Sequence, residues 1–284
     1  MKPDVSVIIP TRKRPELLAE TIKSVRAQEG VTTEIIVVDD CPDSSAAPIA
    51  AAFEGVVYCR NPTVSQGRPA KVRNFGLTMA TGELVHFLDD DDIVPRGHYA
   101  AVKNAFADRP DVGVVFGAIE PFGTDAFDDL CSYFALAALR ARRCALLGPR
   151  LGFSAVMFFR PILFVCGAAI IRRKCVYSLG GFDANLPLYE DVEFYARAIL
   201  SYGAAVLPRV SIRYRIHHPS LMRQPETDAL TAASYKGIHA RLRADRGVVV
   251  YLGLKTLARL IKLESMCVFG MTSKEPLRRI YKMM

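Results

Sequence analysis

Residues 84–92 constrain the fold more than any other stretch of the chain. Leu84-Val85-His86-Phe87-Leu88 is an apolar run of strand length, and it leads directly into four carboxylates, Asp89-Asp90-Asp91-Asp92. In an open α/β sheet, ligands bind beyond the C-terminal ends of the strands. Adjacent carboxylates repel one another and cost stability unless a cation stands among them. Oxygens from one or two Asp, completed by substrate phosphates, are the ligands that Mg²⁺ and Mn²⁺ prefer. The run therefore reads as a metal–diphosphate site. The plainer alternative is a solvated acidic turn before a helix that begins near Pro95.

The preceding segments supply a sheet. Val5-Ser6-Val7-Ile8-Ile9 reads as a first buried strand, Pro10 to Arg14 as a polar loop, and Pro15 suits the first turn of a helix. Leu18, Ile22 and Val25 recur at i, i+4, i+7 as the core stripe of that helix, which Gly30 is expected to end. Glu34 to Val38 is a second strand and delivers Asp39-Asp40 to its end; Gly55 to Tyr58 is a third. A helix is expected over Pro69 to Ala80, with Lys71 and Arg73 near its start and Val72, Phe75, Gly76 and Met79 on one face. A helix over Pro95 to Ala107 and a strand over Val112 to Phe116 follow. Alternation of β and α with short links implies a parallel sheet with right-handed crossovers. Acids at two strand ends are the layout of a nucleotide site.

The next region is less regular. Pro121 to Pro161 holds an Ala/Leu/Arg helical stretch, Leu130 to Leu147. Phe164 to Ile171 reads as a strand, Gly180-Gly181-Phe182-Asp183 as a turn, and Tyr189-Glu190-Asp191 as the head of a helix whose Val192, Tyr195, Ala196 and Ile199 share a face. Asp191 is either an N-cap or a functional acid. Ala205 to Ile216 is a strand leading to His217-His218. From Val248, Leu254, Leu257, Ala258 and Ile261 form one helical stripe and Lys255, Arg259 and Lys262 another. That pattern fits a helix docked on the rest of the chain, and it fits equally a helix lying in a membrane surface.

Charge separates the two ends. Gly203 to Met284 holds 15 Lys+Arg against 5 Asp+Glu, whereas the remainder holds 22 against 24. The basic end points to phospholipid headgroups or an anionic substrate. No nucleic-acid partner is expected, because no nucleic-acid motif and no basic strand studded with aromatics is present. No apolar stretch of spanning length lacks charge, and the richest candidate, Phe153 to Ile171, is interrupted by Arg160-Pro161. Val5 to Ile9 is too short for a signal peptide, and no cleavage site follows. Seven cysteines without a CxxC pair argue against zinc and a disulfide framework and fit a reducing cytosol.

Taken together, Val5 to Thr11, Glu34 to Asp40, Arg73-Asn74-Phe75-Gly76, Thr81-Gly82-Glu83, Phe87 to Asp92, Gly180 to Asp183 and Glu190-Asp191 resemble, in order and spacing over roughly Val5 to His218, glycosyltransferase family 2. The resemblance implies a GT-A fold: α/β, a Rossmann-like nucleotide-binding mixed sheet, mostly parallel and flanked by helices, here with a basic helical C-terminal appendage. It implies a catalytic domain over 1–220, with a nucleotide-sugar-binding half at 1–120 and an acceptor-side half at 121–220, and a basic region at 221–284. Pro10, Thr11, Arg12 and Asp39 would hold the nucleoside, Asp39 accepting from the base with help from Asp40. Arg73-Asn74 would lie beside the donor, and Lys71 would meet diphosphate. Asp91 would touch Mn²⁺ or Mg²⁺, and Asp89 the sugar side or the metal, with Asp90 and Asp92 leaving the register open. His217 would complete the shell, unless it is a plain loop residue. Asp191, paired with Glu190, would be the base that takes the acceptor's proton, kept ionised by the helix N-terminus.

The resemblance thus implies a metal-dependent, inverting transfer of a sugar from a nucleotide-diphosphate donor to a glycan or lipid-linked hydroxyl, in surface polysaccharide or glycolipid assembly. The expected location is the cytoplasm or the cytoplasmic face of the inner membrane, with peripheral contact to anionic lipid. The chain has no tryptophan, so it lacks the Gln-x-x-Arg-Trp motif of processive members and is expected to add one sugar at a time. A sugar nucleotidyltransferase and a non-catalytic nucleotide-sugar binder are the rival readings. The first should carry a Gly-rich loop after the first strand, where this chain has Thr11-Arg12-Lys13-Arg14.

Overall fold

The computed structural model describes residues 2–63, 65, 68–123, 128–159, 163–216 and 227–268. The N-terminal part alternates β1 (Val5–Thr11), α1 (Pro15–Arg26), β2 (Thr33–Asp39), α2 (Ala47–Ala51), β3 (Val56–Arg60), α3 (Pro69–Leu77), β4 (Leu84–Phe87), α4 (His98–Asp108) and β5 (Val114–Phe122). Two helices follow, α5 (Asp128–Leu146) and α6 (Leu151–Phe159). Then come β6 (Ala169–Arg172), α7 (Arg173–Leu179), α8 (Glu190–Tyr202), β7 (Ala204–Arg215) and α9 (Thr227–Val268).

One seven-stranded sheet has the order β3-β2-β1-β4-β6-β5-β7. The pairs β1–β2, β1–β4, β2–β3 and β5–β7 are parallel, while β6 runs antiparallel to both β4 and β5. The sheet is therefore mixed and mostly parallel, as expected. It is continuous across residues 120 and 121, because β5 spans that boundary. Strands β1 and β4 are buried along almost their whole length, which is why they read as unbroken apolar runs rather than alternating ones.

Helix α1 buries Leu18, Thr21, Ile22 and Val25. It ends at Arg26, before Gly30: the amides of Ala27 and Gln28 turn back onto the carbonyls of Lys23 and Val25, and Gly30 serves the next turn. Helix α4 begins at His98 rather than Pro95, since left-handed Gly97 holds the preceding turn. β5 extends past Phe116 to Phe122 because β7 offers it partners out to Arg215. The expected strand at Phe164 to Ile171 shortens to β6, its first part being a 3-10 turn at Cys166–Ala168. Helix α6 was not foreseen. Its residues Gly152 to Phe158 are all buried, so no polar face marks its period.

Helix α3 lies unusually close to the sheet. A Cβ on Gly76 would sit 2.4 Å from Ile8 Cγ2. That approach directs Arg73, one turn earlier, toward the C-terminal edge of β1 and β4. Helix α9 is two helical segments joined at Gly247 (φ 82°, ψ 164°). The second buries Tyr251, Leu254, Ala258 and Ile261, and Tyr251 meets Phe159 of α6 at 5.2 Å between ring centroids. The apolar stripe expected in the tail is thus docked on the protein.

Candidate active site

The chain leaves β1 toward β2 and β3, then returns to place β4 on the other side of β1. Strand order reverses there, and the crevice at the C-terminal ends of β1 and β4 is where such a sheet binds ligands. Thr11, Arg12 and Arg14 enter it from one side and Asp89 to Asp92 from the other. Thr11 Oγ1 donates to Asp90 Oδ2 at 2.7 Å, and the Arg12 amide reaches the same oxygen at 3.4 Å. Arg14 Nη1 donates to Asp91 Oδ2 at 2.6 Å and to Asp90 Oδ1 at 3.3 Å. Pro10 pairs with Val38 in the β1–β2 ladder just behind them.

The four acids are not equivalent. Asp92 is fully buried; its Oδ1 accepts from the Arg215 amide at 2.9 Å, while Oδ2 has no partner. Burial first, and the charges of Asp91 and Asp89 next, push its carboxyl well above the usual range. Asp90 is pushed up to about 7 by burial and by Asp91, partly offset by Thr11 and Arg14. Asp89 is the outermost described acid bound to Arg73, its side chain 35 % exposed.

Arg73 links this cluster to the head of α8. Its Nη2 donates to Asp89 Oδ1 and its Nη1 to Glu190 Oε1, each at 2.7 Å, although the arginine itself is only 4 % exposed. Asp191 follows Glu190 in the first turn of α8, where its Oδ1 accepts from the Val192 amide at 2.8 Å. The N-cap position belongs to Tyr189, so Asp191 is not the N-cap. Its carboxyl was expected to be held low by the helix terminus. Instead it is pushed up to about 7, because burial and the charge of Glu190 outweigh Arg73 and the Val192 amide. Asp89 adds to the same repulsion, so the two acids share one electrostatic neighbourhood.

Asp39, Asp40 and Asn74 are engaged by the protein's own groups. Asp39 is fully buried: Oδ1 accepts from the Cys41 amide at 2.9 Å, and Oδ2 from the Ala46 amide at 3.0 Å and Tyr58 Oη at 3.1 Å. Asp40 accepts from Asn61 Nδ2, the Ser65 amide and Ser65 Oγ, each at 2.7 Å. These two acids shape the loops beyond β2 and β3 that wall the crevice. Asn74, expected beside the donor, pairs in both directions with the backbone of Phe182, at 2.8 and 2.9 Å, and so pins the 180–183 turn. Lys71 is exposed on α3. His217 lies outside the described residues.

Two arginines were not foreseen as site residues. Arg14 lay in a loop read only as polar, and Arg215 in a segment read only as strand. Arg215 Nε donates to the Asp91 carbonyl at 2.8 Å, and its amide holds Asp92. Among the described residues, three non-glycines adopt left-handed backbone, Lys13 (φ 56°), Ser44 (φ 55°) and Tyr189 (φ 60°). They sit after β1, after β2 and just before Glu190, and local strain of this kind collects at functional loops.

A divalent cation fits these residues on stated terms. Among the described residues, no three His, Cys, Asp or Glu side chains converge on one point. Ions that also take substrate phosphates need fewer protein ligands than that, one or two carboxylate oxygens. The guanidinium on Asp91 marks where positive charge is already favoured.

A family model described as "Glycosyl transferase family 2" matches residues 6–175. The succinoglycan biosynthesis protein ExoO of Rhizobium meliloti is 29 % identical over 237 residues, covering 81 % of this chain and 67 % of that protein. Among solved structures, S. aureus TarS 1–349 in complex with UDP superposes with a TM-score of 0.67 at 20 % identity, covering 96 % of this chain and 73 % of that one. The mannosyltransferase PcManGT from Pyrobaculum calidifontis, in complex with GDP-Man and Mn²⁺, gives a TM-score of 0.56 at 20 % identity, covering 100 % of this chain and 84 % of that one.

Proposed function

The chain belongs to glycosyl transferase family 2, and from that premise we propose that it moves one sugar from a nucleotide-diphosphate donor to a hydroxyl of a glycan or lipid-linked acceptor, with inversion at the anomeric carbon, in surface polysaccharide or glycolipid assembly. The observation that carries this reading is the bridge Asp89–Arg73–Glu190, which ties the acid cluster of β4 to the head of α8 where Asp191 stands. One link thereby sets the spacing between the donor end and the base.

The donor lies in the crevice between β1 and β4. Pro10, Thr11 and Arg12 and the loops braced by Asp39 and Asp40 enclose the nucleoside. Lys71, exposed at the start of α3, meets the diphosphate. Asp91, with Asp89, would hold Mn²⁺ or Mg²⁺, which when bound neutralises the diphosphate leaving group as a Lewis acid. Asp191 accepts the proton of the acceptor hydroxyl, a contribution on the order of 10²–10⁴ in rate. Its raised pKa suits the task, because a base titrating near neutral pH combines ionisation with proton affinity. Arg73 holds Glu190 in place, so that Glu190 sets the environment of Asp191 rather than taking the proton itself.

A calorimetric panel of UDP, GDP, dTDP and CMP, each with and without Mn²⁺, tests the reading on wild type and Asp91→Ala. Metal-dependent binding of one diphosphate, lost in the variant, is the expected result. Absence of metal-dependent binding for all four would leave the acid cluster a structural turn and remove the basis for a transferase mechanism.

A further inference from the structure

The second segment of α9 is apolar on two opposite faces. Tyr251, Leu254, Ala258 and Ile261 face the protein and are buried. Val249, Leu252, Thr256 and Leu260 recur at i, i+3, i+7 and i+11 and lie on the opposite side, turned to solvent. There Val249 is 85 % exposed, Val248 58 %, Leu252 53 % and Leu260 57 %. A surface helix of a water-soluble domain carries polar residues on its outer face, and a contiguous apolar one marks an interaction surface. Lys255, Arg259 and Lys262 form a line along the flank between the two faces, where Lys255 Nζ lies 5.7 Å from the Tyr251 ring centroid and Arg259 and Lys262 are exposed. From Gly247 to Leu263 there is no Asp or Glu.

We propose that this outer face docks the protein in-plane on an anionic phospholipid surface, with Val248, Val249, Leu252 and Leu260 in the headgroup–acyl boundary and Lys255, Arg259 and Lys262 on the lipid phosphates. The match of charge commits the face to lipid. An apolar line flanked by cations alone is what an in-plane helix presents to a negative surface, and a protein partner for it would need acids along one edge only. None of the described helices is long and apolar enough to cross a membrane, so the contact is with the surface. The lipid-facing residues are not the stripe that the sequence suggested, which is docked on α6; they are the ones left on the other side. Gly247, in a conformation that strains any other residue, breaks the helix directly before Val248 and Val249, which are both exposed. Membrane docking adds to the transfer reaction and does not depend on it.

The experiment is cosedimentation of the full chain with phosphatidylcholine vesicles and with mixed phosphatidylcholine–phosphatidylglycerol vesicles, at low and high salt. Wild type should bind the mixed vesicles at least about tenfold better than the neutral ones, with the difference shrinking at high salt. V249E/L260E, which alters only exposed positions, should lose binding to both, and K255E/R259E/K262E should lose the preference for anionic lipid. Calorimetric nucleotide binding by V249E/L260E should equal wild type, which shows that the variant is folded. Failure of wild type to sediment, or equal sedimentation of V249E/L260E, overturns the proposal. So does a wild-type dimer in ultracentrifugation that V249E/L260E makes monomeric, because the face is then a subunit interface. If vesicle binding holds and no nucleotide binds, the transferase reading fails and this one stands.

Discussion

Arg73 and Glu190 lie 117 positions apart and meet through a 2.7 Å hydrogen bond between buried charges. The same guanidinium reaches Asp89, so a single side chain from α3 holds the end of β4 and the start of α8 in register. Removing one partner of a buried ion pair leaves the other uncompensated. Arg73→Met should lower stability by about 3 kcal/mol in urea denaturation, at the low end of the usual range because Asp89 is partly exposed. Arg73→Lys should fall between, since one ammonium cannot bridge both acids. A Met variant within about 1 kcal/mol of wild type would mean that the bridge holds nothing together.

Asp191 gives a direct kinetic test. Asp191→Asn should reduce kcat by on the order of 10²–10⁴ and leave donor affinity within about threefold. In wild type, kcat/KM should climb with pH as the Asp191 carboxyl ionises, with a midpoint near the value of about 7 to which burial and Glu190 push it. A rate that is flat from pH 5 to 8 would remove Asp191 from the proton transfer.

Arg14 Nη1 donates to Asp91 Oδ2 at 2.6 Å, on the carboxylate proposed above to hold the metal. Metal binding must therefore displace or share this contact. Arg14→Gln should tighten Mn²⁺ binding in the absence of donor on the order of tenfold, measured by the loss of the free Mn²⁺ electron spin resonance signal. Weaker binding in the variant would show that Arg14 orders the carboxylates rather than competing for them.

Gly181 has φ +75°, and a Cβ there would lie 2.5 Å from Asn74 Oδ1. Gly181→Ala should cost about 1–3 kcal/mol in stability, because it strains the backbone and pushes aside the side chain that pins Phe182. An Asn74→Ala/Gly181→Ala double variant should recover the steric part of that loss. Equal stability of Gly181→Ala and wild type would contradict the close approach.

The carboxyl of Asp92 is raised in the folded protein relative to the unfolded chain. Well below the ordinary carboxylate value of about 3.9 both states hold the proton and the group does not make stability depend on pH. As pH rises past the ordinary carboxylate value, the unfolded chain releases its proton while the folded one keeps it, so stability falls. Asp92→Asn should therefore raise Tm over wild type by about 2–4 °C at pH 8 and by much less at pH 4.5, with no divalent cation present. A larger gain at the acidic end would reverse the sign of the argument.

The N-terminal half of the fold was legible because its strands are covered on both faces and its helices on one. Leu18, Ile22 and Val25 mark α1 for that reason, and Val5 to Ile9 mark β1. Helix α6 was hidden by the opposite circumstance, burial on every side. The place of β6 between β4 and β5 was hidden because strand order depends on contacts far apart in sequence, such as His86 with Ile170. In the candidate site, the acids at 89–92 stand out as a run of four charges after an apolar strand, whereas Glu190-Asp191 is singled out only through the family resemblance. Arg14 and Arg215 could not, since one arginine at the end of an element looks like any surface arginine until the fold brings it to Asp91. The direction of the Asp191 shift also escaped the sequence. A helix terminus can be anticipated, whereas the burial that overrides it comes from the packed structure.

The position of β6 has a consequence for how this protein is made. When β4 leaves the ribosome, the residues that will pair with its outer edge, Ile170 to Arg172, are still roughly 80 codons away, on the order of ten seconds of synthesis. Through that interval the nascent chain can pair β3, β2, β1 and β4, but it carries a bare apolar edge at β4 of the kind that recruits other strands. Glu190 emerges later still, so Arg73 waits with Asp89 alone. An unfinished chain thus has neither a complete sheet nor a complete acid cluster, and it should depend on holdase chaperones until β7 is out. The candidate site is completed only after Glu190, when Arg215 of β7 reaches Asp91 and Asp92 and the last strand joins the sheet.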